Sequence, residues 1–209
     1  ITFSVDGFHQ EHIPFKYVRK GIEAAAWLGF NRVSVDSYFA VGQDASNFFD
    51  ISTRNPLKSL EDLDNIEIHK RRADLEGRGA TELCKYAKLG NKIPSGRCKL
   101  PFWIGGNLKS PRGIEIDFQG NVTLCPGICI GNTRKKRLTQ ILQDYDVDEH
   151  PILSVIDKEG PIGLLRAATA KGFVRQQGFA DECHLCYEMR KFLRRHFPDH
   201  LAPSTCYSE

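Results

Sequence analysis

Seven cysteines lie along this chain of 209 residues, and their spacing constrains the fold more than any other feature of the sequence. Because their number is odd and no charged stretch followed by an apolar stretch opens the chain, metal ligands or free thiols are favoured over disulfides. Cys183 and Cys186 form a C-x-x-C pair, and two thiolates at that spacing can bind one metal centre. The pair alone leaves zinc, an iron–sulfur cluster and dithiol redox chemistry open.

Two more cysteines bracket a predicted β-hairpin. Residues 114–118 and 122–124 alternate apolar and polar side chains on either side of a Gln-Gly-Asn turn signal. Cys98 precedes this hairpin and Cys125 follows it. Together with the C-x-x-C pair they make four thiolates, which is enough for a tetrahedral zinc ion or a [4Fe–4S] cluster. Composition does not separate these two metals.

Two further cysteines have a plainer interpretation. Cys84 lies in a predicted helical run beside Leu83 and Tyr86, which favours a buried and inert thiol. Cys206 is close to the end of the given sequence, which favours a free thiol.

The first part of the chain has the pattern of a parallel α/β fold. Residues 1–5 alternate β-branched and aromatic side chains and are followed by a turn signal at Asp6 and Gly7. Apolar residues then recur at helical spacing between Pro14 and Gly29, and a second strand is predicted directly after them. A strand, a crossover helix and a second strand indicate a βαβ unit with parallel strands.

Later segments extend this pattern and then abandon it. A short helix at 57–63, a strand at 65–69 and a helical run at 82–88 bring the total to about three βα units, which is too few to close a (β/α) barrel. The stretch 93–111 is rich in proline and glycine. Helices are predicted after the hairpin at 138–145, 161–171 and about 186–195. We therefore expect an α/β chain with βα units in 1–91 and a small cysteine-rich α+β module in 92–209.

Composition excludes several classes of protein. Apolar residues make up 41% of the chain and charged residues 26%, as is usual for globular proteins. The longest apolar stretch, 24–30, falls far short of the roughly 20 residues of a membrane span. A net charge of +3 is too small to indicate a nucleic-acid partner, and the basic residues of the last helix, Arg190 among them, are expected on a solvated face. We expect a cytoplasmic protein with no membrane and no nucleic-acid partner.

The order of the cysteines resembles the auxiliary-cluster region of radical S-adenosylmethionine enzymes. Cys98, a spacer, G-x-x-x-x-C ending at Cys125, and the C-x-x-C pair at Cys183 and Cys186 are similar to the SPASM module or its shortened twitch form. The resemblance implies one auxiliary [4Fe–4S] cluster with these four cysteines as ligands. The spacer after Cys98 is longer than in the usual pattern, and Cys129 is the substitute ligand.

The first strand and a later glycine-rich segment resemble the same family. Phe3-Ser-Val-Asp-Gly7 looks like the strand end found midway through the barrel of SPASM-type enzymes, and the segment from Glu76 to Ala80 resembles the G-R-A segment after a later barrel strand. The resemblance implies a partial radical S-adenosylmethionine barrel. It places Ser4 and Asp6 at the cofactor, S-adenosylmethionine, of the full-length protein.

The loop that holds the cofactor-cleaving cluster in this family, C-x-x-x-C-x-x-C, does not occur in the given sequence. The nearest match would need a cysteine at position 132, where Asn132 stands. We therefore interpret the chain as the C-terminal part of a longer radical enzyme, inactive in cofactor cleavage by itself.

The function of such an enzyme has several open elements. The resemblance implies an oxidoreductase or peptide-modifying enzyme that acts on a peptide or a small metabolite. The basic residues of the last helix would also suit an acidic electron-donor protein. The alternative is a non-enzymatic module in which the four cysteines bind structural zinc.

Overall fold

The computed structural model describes residues 1–98 and 105–207, and these form two compact units, Ile1–Ala73 and Asp74–Glu209, each described by itself. The division falls before the boundary expected near residue 92. The segment that follows Asp74 belongs to the second unit because Ala80 is buried in that unit's core and the backbone of Gly90 pairs with that of Phe179. Part of the proline- and glycine-rich stretch 93–111, residues 99–104, lies outside the described residues.

The first unit alternates strands and helices, as the sequence predicts. Its elements are β1 (Thr2–Ser4), α1 (Gly7–Gln10), α2 (Phe15–Trp27), β2 (Val33–Phe39), α3 (Phe48–Lys58) and β3 (Ile66–Arg72). The strands form one parallel sheet in the order β1-β2-β3. The expected βαβ connection is therefore confirmed.

The two faces of this sheet differ in character. Val33, Val35 and Phe39 of β2 form a buried cluster with Ile22 of α2 and Leu57 of α3. The opposite face carries polar residues on neighbouring strands: Thr2 and Ser34 share a hydrogen bond of 2.8 Å, and His69 bonds to Asp36 at 3.0 Å. Parallel sheets usually have both faces covered, so the polar face is an unusual feature.

The helix α3 differs from the sequence prediction, which placed a short helix at 57–63 and no element before it. The structure begins this helix at Phe48 and ends it at Lys58. Asn47 caps it by accepting a hydrogen bond from the Asp50 amide at 2.9 Å. The fully buried Asp50 carboxylate accepts the amides of Ala40 (2.5 Å) and Val41 (3.0 Å) in the loop after β2. Long-range bonding of this kind leaves no periodic signal in the sequence.

The second unit contains the predicted hairpin and more helices than expected. Its elements are α4 (Arg78–Glu82), a 3₁₀ turn (Cys84–Tyr86), β4 (Glu115–Ile116), β5 (Asn121–Cys125), β6 (Ile128–Asn132), α5 (Leu138–Gln143), α6 (Leu153–Glu159), α7 (Pro161–Ala170), α8 (Glu182–Leu193) and two more 3₁₀ turns (Arg194–His196 and Ser204–Tyr207). The strands form an antiparallel sheet in the order β4-β5-β6. The sequence analysis missed β6 and α6, because each is short and has too few residues to establish a period.

The strand β6 follows a tight turn whose residues are typical of type II geometry. Pro126 and Gly127 occupy the two central positions, and Gly127 has a φ of +83°, which favours glycine. Of the helices described here, none combines the length and apolar character that a bilayer crossing requires.

A buried histidine links the sheet of the second unit to the start of α6. Nδ1 of His150 accepts the amides of Ile152 and Leu153 at 3.2 and 3.1 Å, so Nε2 carries the proton and donates to the Cys129 carbonyl at 3.1 Å. Burial lowers the pKa of His150 to about 4, and the neighbouring His200 ring adds to this effect. The neutral ring is therefore the form that the fold requires.

Replacing Asp50 by Ala should destabilise the first unit strongly. The change leaves the buried amide of Ala40 and the partly buried amide of Val41 without their acceptor, and unmade buried hydrogen bonds cost about 1–3 kcal/mol each. We expect a loss of about 3 kcal/mol in the free energy of unfolding, measured by urea denaturation. Asp44→Asn, at an exposed position of the same loop, is the control and should change stability by less than about 0.5 kcal/mol. Equal stabilities of the two variants would contradict the assigned role of Asp50.

The second unit should lose stability in acid through His150. An unfolded histidine binds a proton below pH ~6.5, whereas folded His150 resists protonation until pH ~4, so the free energy of unfolding falls as pH falls through this window. The full loss is about 3 kcal/mol. His150→Gln keeps a donor but cannot titrate, so urea denaturation between pH 4 and 7 should show a flatter dependence. His12→Gln, at an exposed site in the first unit, should leave the slope unchanged.

Candidate metal centre

The C-x-x-C pair lies on the first turn of α8. The structure begins this helix at Glu182, before the predicted start near Cys186, because the Asp181 side chain caps it by accepting the His184 amide at 2.9 Å. Cys183 and Cys186 are three residues apart on the helix, so both side chains point to the same face. The positive end of the helix dipole is at this turn and favours thiolates there.

The hairpin between β5 and β6 positions Cys125. The bonding register pairs Cys125 with Ile128 and Thr123 with Cys129, with irregularities between these pairs. These irregularities break the regular alternation of side chains between the two faces, and the two thiols have different neighbours: Glu76 lies beside the Cys125 thiol and Asn121 beside the Cys129 thiol. Cys129 donates instead to the Gly131 carbonyl at 3.1 Å.

One small cavity collects all four cysteines of the predicted ligand set. Cys98, Cys125, Cys183 and Cys186 line it, and its free volume is about 40 Å³. Its remaining lining residues are Asp74, Glu76, Pro161, Glu182 and Arg190. The structure therefore brings together segments that are far apart in the sequence, and it selects Cys98 over Cys129 as the fourth cavity cysteine.

Burial keeps the cavity thiols protonated in the absence of a metal. It raises the pKa of Cys98 to about 11 and raises the pKa values of Cys125, Cys183 and Cys186 as well. Reactive dithiols depend on a lowered thiol pKa. A bound metal would reverse the effect, because a coordinating thiol is deprotonated outright.

A buried ion pair lies against the cysteines. Arg190 is 1% exposed, and its guanidinium donates to Glu76 Oε2 at 3.2 Å and to the Pro126 carbonyl at 2.7 Å. The Cys125 thiol also donates to Glu76 Oε2, at 3.5 Å. Burial raises the pKa of Glu76, and the charge of Arg190 offsets part of this shift.

Arg190 and Glu76 are the functional residues that the sequence analysis missed. Arg190 was expected on a solvated face, and that expectation is wrong. It lies four residues after Cys186 and seven after Cys183, so helical spacing places all three on one face of α8. That spacing is the signal that could have identified Arg190. Glu76 has no comparable signal, because α4 begins only after it.

The other cysteines lie outside the cavity. Cys84 is half-buried, with its Sγ 3.6 Å from Nε2 of His184. Nδ1 of His184 accepts the Ala180 amide at 3.2 Å, so Nε2 carries the proton and does not act as a base toward Cys84. Cys206 packs against the core of the second unit.

The chemistry of the cavity residues fits a thiolate-bound cluster. Four cysteines converge, as a [4Fe–4S] cluster requires. Among residues 1–98 and 105–207, no group of three or more Cys, His, Asp or Glu side chains is arranged to hold a single metal ion. Tetrahedral zinc needs sulfur atoms about 3.8 Å apart, given Zn–S bonds of about 2.3 Å, whereas a cluster binds each thiolate at a separate iron.

The residues predicted to bind S-adenosylmethionine lie in the first unit. Ser4 is exposed at the end of β1 and pairs with Asp36 of β2. Asp6 is fully buried, and its Oδ1 accepts from the amide of His9 at 3.1 Å and bonds to the His9 ring at 2.8 Å. Its Oδ2 has no hydrogen-bond partner in the described part of the chain.

A polar network lies on the sheet face opposite the buried apolar cluster. His69 bonds to Asp36 at 3.0 Å and to Glu67 at 2.9 Å. The hydrogen bond to Glu67 has the largest effect in raising the pKa of His69, and the hydrogen bond to Asp36 raises it further. Strand register alone aligns Asp36 with His69, and register could not be derived from the sequence.

Comparisons with known proteins yield no relative from which a function could be transferred. No family model matches the sequence, and neither a curated protein nor a solved structure is significantly similar to the chain.

The cavity thiols should react slowly with alkylating agents in the metal-free protein. At pH 8, we expect Cys125 and Cys186 to be modified at least about tenfold more slowly in the folded protein than in urea, because burial raises their pKa values and blocks access. Mass spectrometry of protein sampled over time measures each site. Rapid modification of Cys183 and Cys186 in the folded protein would instead indicate a reactive dithiol.

Proposed function

We propose that the second unit binds one auxiliary [4Fe–4S] cluster through Cys98, Cys125, Cys183 and Cys186, as part of a radical S-adenosylmethionine enzyme of the SPASM or twitch type. The convergence of these four cysteines on one cavity carries the proposal. The four cysteines come from a loop, a hairpin and a helix that are far apart in the sequence.

The residues around the cavity would contribute ligands, a favourable helix dipole and the exclusion of water. The four thiols supply the ligands, and the first turn of α8 directs its amides and its positive dipole end toward two of them. The core of the second unit excludes water, since Leu124 and Leu185, next to Cys125 and Cys186, are fully buried. When bound, the cluster would supply one-electron transfer at a potential set by these surroundings.

The first unit supports the wider assignment to a radical enzyme. Its parallel strands have helices on one face and polar residues on the other, as expected for a segment of a (β/α) barrel whose inner face meets a ligand. In this proposal Ser4 and Asp6 lie at the S-adenosylmethionine of the complete enzyme. The polar network of Asp36, Glu67 and His69 lies on the same strands and would face a peptide or small-metabolite substrate.

Two alternatives make different use of the same cysteines. Structural zinc would use the same four thiols, but would require the sulfurs to close around a single ion. Dithiol redox chemistry at Cys183 and Cys186 is disfavoured by the raised pKa values of both thiols. Metal content separates these alternatives from the cluster.

The protein purified without oxygen, or reconstituted with iron and sulfide, should be brown. We expect about four irons per chain and a broad absorption near ~400 nm, because that is the composition and the usual spectrum of a [4Fe–4S] centre. Iron analysis, sulfide analysis and electron paramagnetic resonance after reduction measure the cluster directly. A colourless protein with one zinc would contradict the proposal and favour the alternative.

Single cysteine variants test the ligand set. Cys125→Ala, Cys183→Ala and Cys186→Ala should each lose most of the iron, and Cys98→Ala should do the same. Cys129→Ala and Cys84→Ala are the matched controls, and both should retain the wild-type iron content because neither thiol lines the cavity. Loss of iron from Cys129→Ala together with retention in Cys98→Ala would show that the fourth ligand is misassigned.

A further inference from the structure

Arg190 is a permanent positive charge held inside the second unit beside the cavity thiols. Its guanidinium cannot be deprotonated in a protein, and only 1% of its surface is exposed. It interacts electrostatically with Cys125 and Cys186, both of which line the same cavity. At the tip of the hairpin, the Pro126 carbonyl accepts a hydrogen bond from Arg190 at 2.7 Å.

The fold alone does not explain this buried charge. Replacing a buried ion pair by apolar residues of similar size is often neutral or stabilising, so a buried pair is weak evidence for a role in stability. One carboxylate, Glu76, is the ion-pair partner of Arg190, and the Nε of Arg190 has no hydrogen-bond partner among the described residues. The positive charge is thus only partly satisfied by its surroundings.

Four thiolates would supply the missing negative charge. Once they bind a [4Fe–4S] cluster, the centre and its ligands carry a net negative charge in a site that excludes water, where electrostatic interactions are strong. A cation fixed at this position favours the more negative of two oxidation states. The same position also gives the guanidinium access to ligand sulfurs, and hydrogen bonds to sulfur are known to tune cluster potentials.

We propose that Arg190 is the positioning residue that sets the reduction potential of the auxiliary cluster, by holding one positive charge against the ligands Cys125 and Cys186. This inference rests on the proposed function. Adding one electron from a reductant makes the thiolate-bound centre more negative by one charge, and Arg190 stabilises that reduced form. The residue therefore raises the potential and makes the cluster easier to reduce.

The test is a redox titration of the reconstituted full chain with a low-potential dye and dithionite as the reductant. Arg190→Gln removes the charge but leaves Glu76 buried without its ion-pair partner, so the decisive comparison is made in a Glu76→Gln background. Glu76→Gln and the double variant differ only at position 190, where the double variant lacks the positive charge. We expect the double variant to be at least tenfold harder to reduce, which is a shift of about 59 mV to lower potential for one electron.

Two further variants distinguish charge from packing. Arg190→Lys keeps the charge and should keep a midpoint close to that of wild type. Arg195→Gln removes an exposed positive charge from the region directly after α8 and should leave the midpoint unchanged. A double variant with the midpoint of Glu76→Gln, or an Arg190→Lys variant shifted as far as the double variant, would overturn the inference.

Iron content separates this inference from the proposed function. If the wild-type chain binds no iron–sulfur cluster, both fail. If wild type and all variants bind about four irons with equal midpoints, the cluster stands and only the role of Arg190 is overturned. Loss of iron from both Arg190→Lys and the double variant, with iron retained in Glu76→Gln, would show that Arg190 only packs the site and would also overturn the inference.

Discussion

The second unit depends on enclosing four sulfur atoms together with one fixed positive charge. Each thiol taken from water becomes harder to ionise, as the raised pKa values of Cys98 and Cys125 show. Burying Arg190 is costly too, unless negative charge lies nearby. The two costs would offset each other once the thiols ionise, as they would in the proposed cluster, because a coordinating thiol is deprotonated. The ionised thiols and the guanidinium would therefore complement each other electrostatically. The helix α8 carries Cys183, Cys186 and Arg190 on one face.

Local patterns in the sequence predicted much of the fold. The parallel order of β1, β2 and β3 and the hairpin of β4 and β5 follow from alternation and turn signals that act over a few residues. The start of α3 was missed although Asn47 offers a local capping signal, and the bonds of the Asp50 carboxylate to the loop after β2 have no local signal. The sequence analysis placed the start of α8 near Cys186, whereas the cap at Asp181 starts the helix at Glu182.

The candidate site shows the same division between local and long-range information. Spacing identified the four cavity cysteines, yet the exclusion of Cys129 from the lining of the cavity depends on the irregular register of β5 and β6, which no sequence pattern reveals. Arg190 was misplaced because a run of basic residues is usually solvated, and composition alone does not reveal that one of them faces inward. The role of Glu76 depends on a contact with Arg190, more than a hundred positions later in the chain, which no local pattern encodes.

The cavity cysteines also close long loops of the chain. Cys98, Cys125 and the pair on α8 belong to separate segments, so a bound cluster would join them as a set of cross-links that the unfolded chain lacks. Ligand binding restricted to the native state adds its binding energy to folding. Under the proposed function, the chain without its cluster would therefore unfold more readily than the loaded chain and be the form more exposed to proteases.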